Sequence, residues 1–448
     1  MNRVRLRHLL AWCGPGIPVA ALGLPLVVYL PPHYAGTLGL PLATVGLVFA
    51  LVRIVDIPFD PLLGMLMDRT RSRFGQFRPW MAAGAVVLAI GVYMLFMAGP
   101  GVSAARTFAA LFLLYLGYSG IQLAQVSWGS RLSADYGERA RIFGFWTTSN
   151  VAGNLSVLFI PPLLALLIPA ATAAEGIHAM GWFILALIPL TVAIAVLTVP
   201  EGNAPAERHG FRLKDARPLL ADRRLLRLLL ADLLLSIAPG ITGALFLFYF
   251  VQGRGLSPKE ASTILLCYFV AGLFAAPIWI RIARRLGKHR AVVIAGLLLG
   301  ASPAMLLLIP HGSVMLAALA MLIAGIPFAA PPFLMRAILA DLNDAQALDR
   351  LDTGKPPVET TGLSFAILTA TQKLGYAIPI GLTYPLLSFI GFDPAPEARN
   401  SAGSLAELEL LFIVPPMLLC LAAAALLRDW PITAERHALI RQRLDQHC

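Results

Sequence analysis

Four residues of one apolar stretch have the types and spacing for ion chemistry. Arg53, Asp56, Asp60 and Gly64 fall at i, i+3, i+7 and i+11. At 3.6 residues per turn they form a single stripe, so a guanidinium and two carboxylates share one helix face. An ionisable group at membrane depth costs roughly 3 kcal/mol on insertion scales, and such groups mark ion paths or substrate sites. In a purely structural cluster Arg53 would neutralise Asp56 and leave Asp60 unmatched. Asp56 and Asp60 are therefore candidates for an ion path or a substrate site, with Arg53 as a charge partner.

The element that carries them must be a membrane helix. Mean hydropathy is +0.76. Hydrophobic residues make up 58% of the 448-residue chain and charged residues 13%, which is too apolar for soluble domains. Twelve apolar segments can be counted, at about 9–33, 41–67, 80–99, 105–131, 142–169, 178–199, 225–251, 257–282, 290–309, 313–338, 362–390 and 405–427. Most are long enough for a hydrocarbon core of about 30 Å. The expected fold class is an all-α polytopic membrane protein. The N-terminus MNRVRLRHLL runs directly into the first segment, which reads as its own insertion signal rather than a cleaved one. The four cysteines have neither metal spacing nor a paired framework.

Charge placement sets the orientation. With both termini in the cytosol, 29 of the 35 Lys and Arg fall in cytosolic stretches and 4 in outer loops, and Arg53 and Lys373 lie within helices. That bias is the positive-inside rule. It accounts for the net charge of +11 without nucleic acid, and the bilayer of an inner membrane is the expected partner.

The chain also repeats. Gly39-Leu40 and Gly255-Leu256 each open a helix with a proline 21 residues after the leucine, Pro61 and Pro277, and each helix runs into a basic loop. The offset is 216 residues. Asp56 then aligns with Gly272, Asp60 with Ala276 and Arg53 with Phe269, so the second copy builds the same helix without the charges. The expected plan is a six-helix bundle at 1–200, a cytosolic linker at 201–224, a second six-helix bundle at 225–428 and a tail at 429–448. Bundles repeated in this way enclose a site near the midplane. No HExxH, GxSxG or GxxxxGK[ST] motif occurs, so neither an enzyme nor an ATP-driven pump is indicated, and no cofactor or metal is expected.

The segment DIPFDPLLGMLMDRTRSRFGQFRPW at 56–80 resembles the signature of the glycoside–pentoside–hexuronide:cation symporters, the melibiose permease group of the major facilitator superfamily. SWGSRLSADYGERAR at 127–141, ILADLNDA at 338–345 and GLSFAILTATQKLGY at 362–376 resemble further segments of that family. The resemblance implies the major facilitator fold and alternating access with coupled movement of a cation and a solute. It places the cation at Asp56 and Asp60 and a lysine, here Lys373, beside them. It also exposes departures. The family's sugar transporters hold hydroxyls with aspartates on the first and fourth helices, where ungapped alignment puts Ala20 and Ala124. A melibiose-like sugar is thereby placed in doubt, because hydroxyl recognition needs polar partners.

Other residues are weighed against packing roles. Trp128, with Gln122 and Gln125 nearby, suits an aromatic platform with amides for a polar ring. Asn150 and Asn154, i and i+4 on the fifth helix, either line the same cavity or join helices by hydrogen bonds. Asp232 is either a second protonation site or, as preferred, the partner of a snorkelling Arg227. Asp68, Arg69, Arg73, Asp135, Glu138 and Arg139 are expected to form a cytosolic gate of salt bridges.

Three functions compete: cation-coupled symport of a small sugar, glycoside or sugar acid by a monomer, movement of a lysophospholipid-like amphiphile, and a non-transporting membrane sensor or scaffold. As coupling ion a proton is expected over sodium. The family's sodium users carry a polar residue before the second aspartate and a threonine on the fourth helix, where this chain has Phe59 and Ile121.

Overall fold

The computed structural model describes residues 3–70, 72–133, 136–201, 221–353 and 361–446. Among them twelve long helices run in order. They are α1 Leu6–Thr37, α2 Leu42–Arg69, α3 Arg78–Phe96, α4 Ala104–Arg131, α5 Tyr136–Leu167 and α6 Ala173–Thr198, followed by α7 Arg223–Gly253, α8 Pro258–Leu286, α9 Lys288–Leu308, α10 Val314–Asp352, α11 Thr361–Phe389 and α12 Ala402–Arg428. A short α13, Ala434–Asp445, follows. Helices are the outcome because apolar chain in lipid must satisfy its backbone within the segment. Eleven are apolar and long enough to cross a membrane, and α11, interrupted by Gln372 and Lys373, is the exception.

Local signals set several starts. Thr172 with Glu175, and Ser257 with Glu260, form capping boxes for α6 and α8. Ser103 and Ser401 cap α4 and α12 through their hydroxyls. The 216-residue repeat is visible in the backbone. Both α1 and α7 end in a π-helical turn, His33–Thr37 and Phe248–Gly253, and both turns are followed by a glycine at positive φ, Gly39 at 80° and Gly255 at 71°. Only glycine adopts that region at no steric cost.

α1–α6 pack as one six-helix bundle and α7–α12 as the other, the major facilitator arrangement. Three pairs join the halves: α2 with α11, α5 with α8, and α1 with α7. α2 and α11 are in close backbone contact near the start of α2. A Cβ on Gly46 would lie 2.9 Å from the Ile380 carbonyl oxygen, and one on Gly381 would lie 2.6 Å from the Ala50 methyl. At the end opposite the basic loops α2 and α11 are thus in direct contact.

The basic-loop end is organised differently. Residues 202–220 of the expected linker lie outside the described residues, and α7 begins at Arg223, capped by Asp222. Within the expected tail, α13 docks on α10 through His437 to Asp344 at 2.9 Å and Arg443 to Asp352 at 2.8 Å.

Candidate functional site

The charged stripe of α2 lies against α4 and α11. Pro58 and Pro61 flank the second aspartate and remove two backbone donors from the helix. Arg53 Nη1 sits 3.5 Å from Asp56 Oδ2, and its guanidinium lies 4.2 Å from the centre of the Tyr115 ring on α4. Lys373 of α11 reaches across the interface between the halves. Its Nζ is 3.2 Å from Asp56 Oδ2 and also hydrogen-bonds Asp60 Oδ2. Ser119 Oγ on α4 donates to Asp56 Oδ1 at 3.4 Å. Asp56 is 2% exposed, so its charge depends on these partners. Two cations and two carboxylates make the cluster neutral. Oδ1 of Asp60 is buried and has no hydrogen-bond partner.

Beside the cluster lies a cavity of about 580 Å3 between the halves, within the roughly 300–1,000 Å3 of small-molecule sites. Arg53 is in its wall, so the ion cluster touches the cavity through that one side chain. The α1 wall is apolar, with Leu24, Val27 and Val28. Asn154 on α5 and Tyr376 on α11 supply polar atoms.

Of the five residues expected in the substrate cavity, Asn154 lines it and the others do not. Trp128 is fully buried, and its indole N–H donates to the Pro200 carbonyl at 3.2 Å, which ties α4 to the end of α6. Gln125 donates to the Trp12 carbonyl at 2.7 Å and accepts from the Trp146 indole at 3.1 Å, pinning α1, α4 and α5 together. Gln122 stands one turn from Tyr118 on its own helix and is absent from the cavity wall. Asn150 donates to the Trp146 carbonyl one turn back at 2.7 Å. The Gln125 and Asn150 amides and the Trp128 indole are spent on partners within the first half.

Of the six residues of the expected cytosolic gate, three can be placed. Asp135 and the side chains of Asp68 and Arg139 fall outside the described residues. Glu138 pairs with Arg141 at 2.7 Å and accepts from the Val4 amide at 3.1 Å, both within the first half. Arg69 is exposed, and Arg73 lies over the neighbouring Phe74 ring at 4.7 Å. Glu201, at the end of α6, meets the same loop. Its carboxylate accepts from the amides of Gln76, Phe77 and Arg78 at 2.6, 2.9 and 2.9 Å, at the start of α3 where unpaired donors favour an anion. A Cβ on Gly75, at φ 104°, would lie 2.4 Å from that carboxylate carbon. Glu201 thereby fastens the 75–78 segment to the end of α6 within the first half.

Asp232 does not pair with Arg227, which binds the carbonyls of Leu426 and Asp429 instead. Asp232 Oδ1 accepts from Gln372 Nε2 at 3.3 Å, and Gln372 Oε1 accepts from Arg336 at 3.2 Å. Ser119, Glu201 and Gln372 escaped the sequence reading because no spacing within one helix points to them. Only Gln372, adjacent to Lys373, carried a signal.

A family model described as MFS/sugar transport protein matches residues 13–434. The chain belongs to that family. As a member of the MFS/sugar transport proteins it is similar to the inner membrane symporter YicJ of Escherichia coli K12, 26% identical over 432 residues that cover 94% of this chain and 91% of YicJ. It is also similar to the lactose permease of Lactobacillus delbrueckii subsp. bulgaricus, 25% identical over 88% of this chain and 64% of that longer protein. The nucleoside transporter NupG shares the fold, with a TM-score of 0.70 at 15% identity over 94% of this chain and 99% of its own. A glycoside–pentoside–hexuronide:cation symporter family member within the major facilitator superfamily is what these similarities support.

Proposed function

We propose that this chain is a monomeric secondary transporter of the inner membrane, both termini cytosolic, that couples a proton to the movement of a small glycoside or sugar acid. The observation that carries the reading is Lys373 shared between Asp56 and Asp60 while Asp60 Oδ1 has no partner. Those groups sit on α2 and α11, one helix from each half, so their pairing state is tied to how the halves meet.

The sequence of events follows from charge balance. A proton taken by Asp60 removes one anion from a neutral quartet and leaves an excess cation. Lys373 then relaxes onto Asp56, and the hold between α2 and α11 is loosened. Arg53, which pairs with Asp56 and lines the cavity, passes that change to the solute. Loss of the proton restores the double ion pair. Sodium would need several oxygens. Ser119 is the neutral side-chain oxygen on Asp56, while Phe59 stacks edge-on with Phe112 at 5.3 Å and Ile121 is fully buried. The relatives named as a symporter and a lactose permease support the solute class.

The test is uptake of radiolabelled lactose and methyl glucosides into vesicles with imposed gradients. Uptake driven by an inward proton gradient and abolished by a protonophore is expected. Uptake driven by sodium at fixed pH and indifferent to the protonophore would refute proton coupling. A second reading, movement of an amphiphile, is favoured by the apolar α1 wall of Leu24, Val27 and Val28. Competition of glycoside uptake by a lysophospholipid below its micellar concentration separates the two.

A further inference from the structure

A second polar site opens off the central cavity, between α7 and α11 of the second half. A pocket of about 70 Å3 is lined by Asp232 and Ser236 of α7 and by Gln372 and Tyr376 of α11. Pro239, Phe328 and Tyr376 belong to the walls of both this pocket and the 580 Å3 cavity, so the two spaces adjoin. Asp232 is 2% exposed, and its Oδ2 has no hydrogen-bond partner. A buried polar atom left unpaired is costly, and in a native structure it calls for an explanation.

We propose that Asp232 and Gln372 form a hydroxyl-binding subsite for the transported solute, a ring-shaped polyol such as a glycoside; this rests on the transporter reading above. Three observations carry it. The first is aim. Arg336 holds Gln372 Oε1 at 3.2 Å, which turns the amide nitrogen onto Asp232 Oδ1 at 3.3 Å and leaves Oδ2 as the open acceptor. The second is size. At about 30 Å3 per water the pocket accepts one or two small polar groups but no whole solute, so it takes a substituent of a molecule seated in the larger cavity. The third is the composition of the walls. Oδ2 accepts, the hydroxyls of Ser236 and Tyr376 can donate, and the Phe328 and Tyr376 rings provide apolar faces. A sugar hydroxyl both donates and accepts, and the ring that carries it presents C–H faces to aromatics. An ammonium has no acceptor to offer those hydroxyls.

The experiment uses the purified full-length protein in detergent. Affinities for methyl glucoside, lactose, glucosamine and the monodeoxy methyl glucosides are read from thermal stabilisation. The expected result is that Asp232→Asn weakens the best glycoside about tenfold or more, as for loss of a hydrogen bond to a charged group. One monodeoxy analogue should bind the wild type equally weakly and lose nothing further in Asp232→Asn, since the cycle closes only when both changes remove one contact. Should Asp232→Asn not fold, Gln372→Ala keeps the carboxylate and removes its aim, and the same analogue should again show no added loss. Wild-type affinity in the folded variants, or equal additive losses with every analogue, would overturn the subsite alone. Stabilisation by glucosamine only, lost in Asp232→Asn, would assign the pocket to an ammonium and overturn the hydroxyl assignment. A wild type stabilised by none of the sugars would overturn both the subsite and the glycoside reading.

Discussion

Lys373 on α11 and Asp56 on α2 stand 317 residues apart in the chain and 3.2 Å apart in space, and they join the two halves of the molecule. The lysine is 11% exposed and the carboxylate 2%. With Asp60 and Arg53 completing the cluster, no single member can be removed without leaving charge behind in a low-dielectric interior.

Lys373→Ala is therefore expected to abolish uphill uptake and to lower stability by about 3–5 kcal/mol, the range for breaking a buried pair. Lys373→Ala combined with Asp60→Asn removes one charge of each sign and should recover most of that stability but none of the uphill transport. Thermal unfolding and gradient-driven uptake on the three proteins check this. Normal uphill uptake by Lys373→Ala would remove the pairing from the mechanism.

Asp60→Asn keeps the shape of the side chain and mimics its protonated form. Solute exchange between two equal pools should survive, while accumulation driven by a proton gradient should be lost. Counterflow and gradient-driven uptake measured on the same vesicles separate the two activities. Retained accumulation would show that Asp60 does not carry the coupling ion.

Trp128→Phe deletes the indole donor to Pro200 but keeps most of the packing. The expected cost is about 1 kcal/mol of stability, with unchanged solute affinity. Asn154→Leu, at a cavity wall, should change affinity at least severalfold with little effect on stability. Ligand-dependent thermal shifts report both quantities. The reverse pattern would return Trp128 to the solute site.

Asp222 caps α7 outside the membrane. Burial by itself would push its carboxyl up, but hydrogen bonds from the Arg224 side chain, Gln346 and the Arg224 amide outweigh it and hold the carboxyl below the usual carboxylate range. A depressed folded value means the stabilisation is present above the unfolded pKa of about 4 and is lost as pH falls through the folded one. Stability of the wild type should decline below about pH 4 more steeply than that of Asp222→Asn. Parallel pH profiles of the melting temperature would rule this out.

Helix number, the repeat and the ion stripe were legible in the sequence because each depends on local quantities. An apolar run of a given length becomes a spanning helix wherever it sits, and 3.6 residues per turn put Arg53, Asp56 and Asp60 on one face before any neighbour is known. Lys373 was indicated by the resemblance and by being a lysine inside an apolar segment, but its contact with both aspartates is a relation between two helices.

What each membrane helix faces was decided by the tertiary structure. A helix that is apolar nearly all round carries no stripe to say which side meets a cavity and which meets a neighbour. Trp128, Gln125 and Asn154 look alike as polar or aromatic interruptions, yet the first two are consumed in ties between α1, α4, α5 and α6 while the third faces the cavity. Ser119, Glu201 and the Asp232–Gln372–Arg336 chain become partners only once α2 meets α4, the end of α6 meets α3, and α7 meets α10 and α11. Hydrogen bonds and ion pairs act over about 3 Å, and the distances between helices that satisfy them are set by packing, not by spacing along the chain.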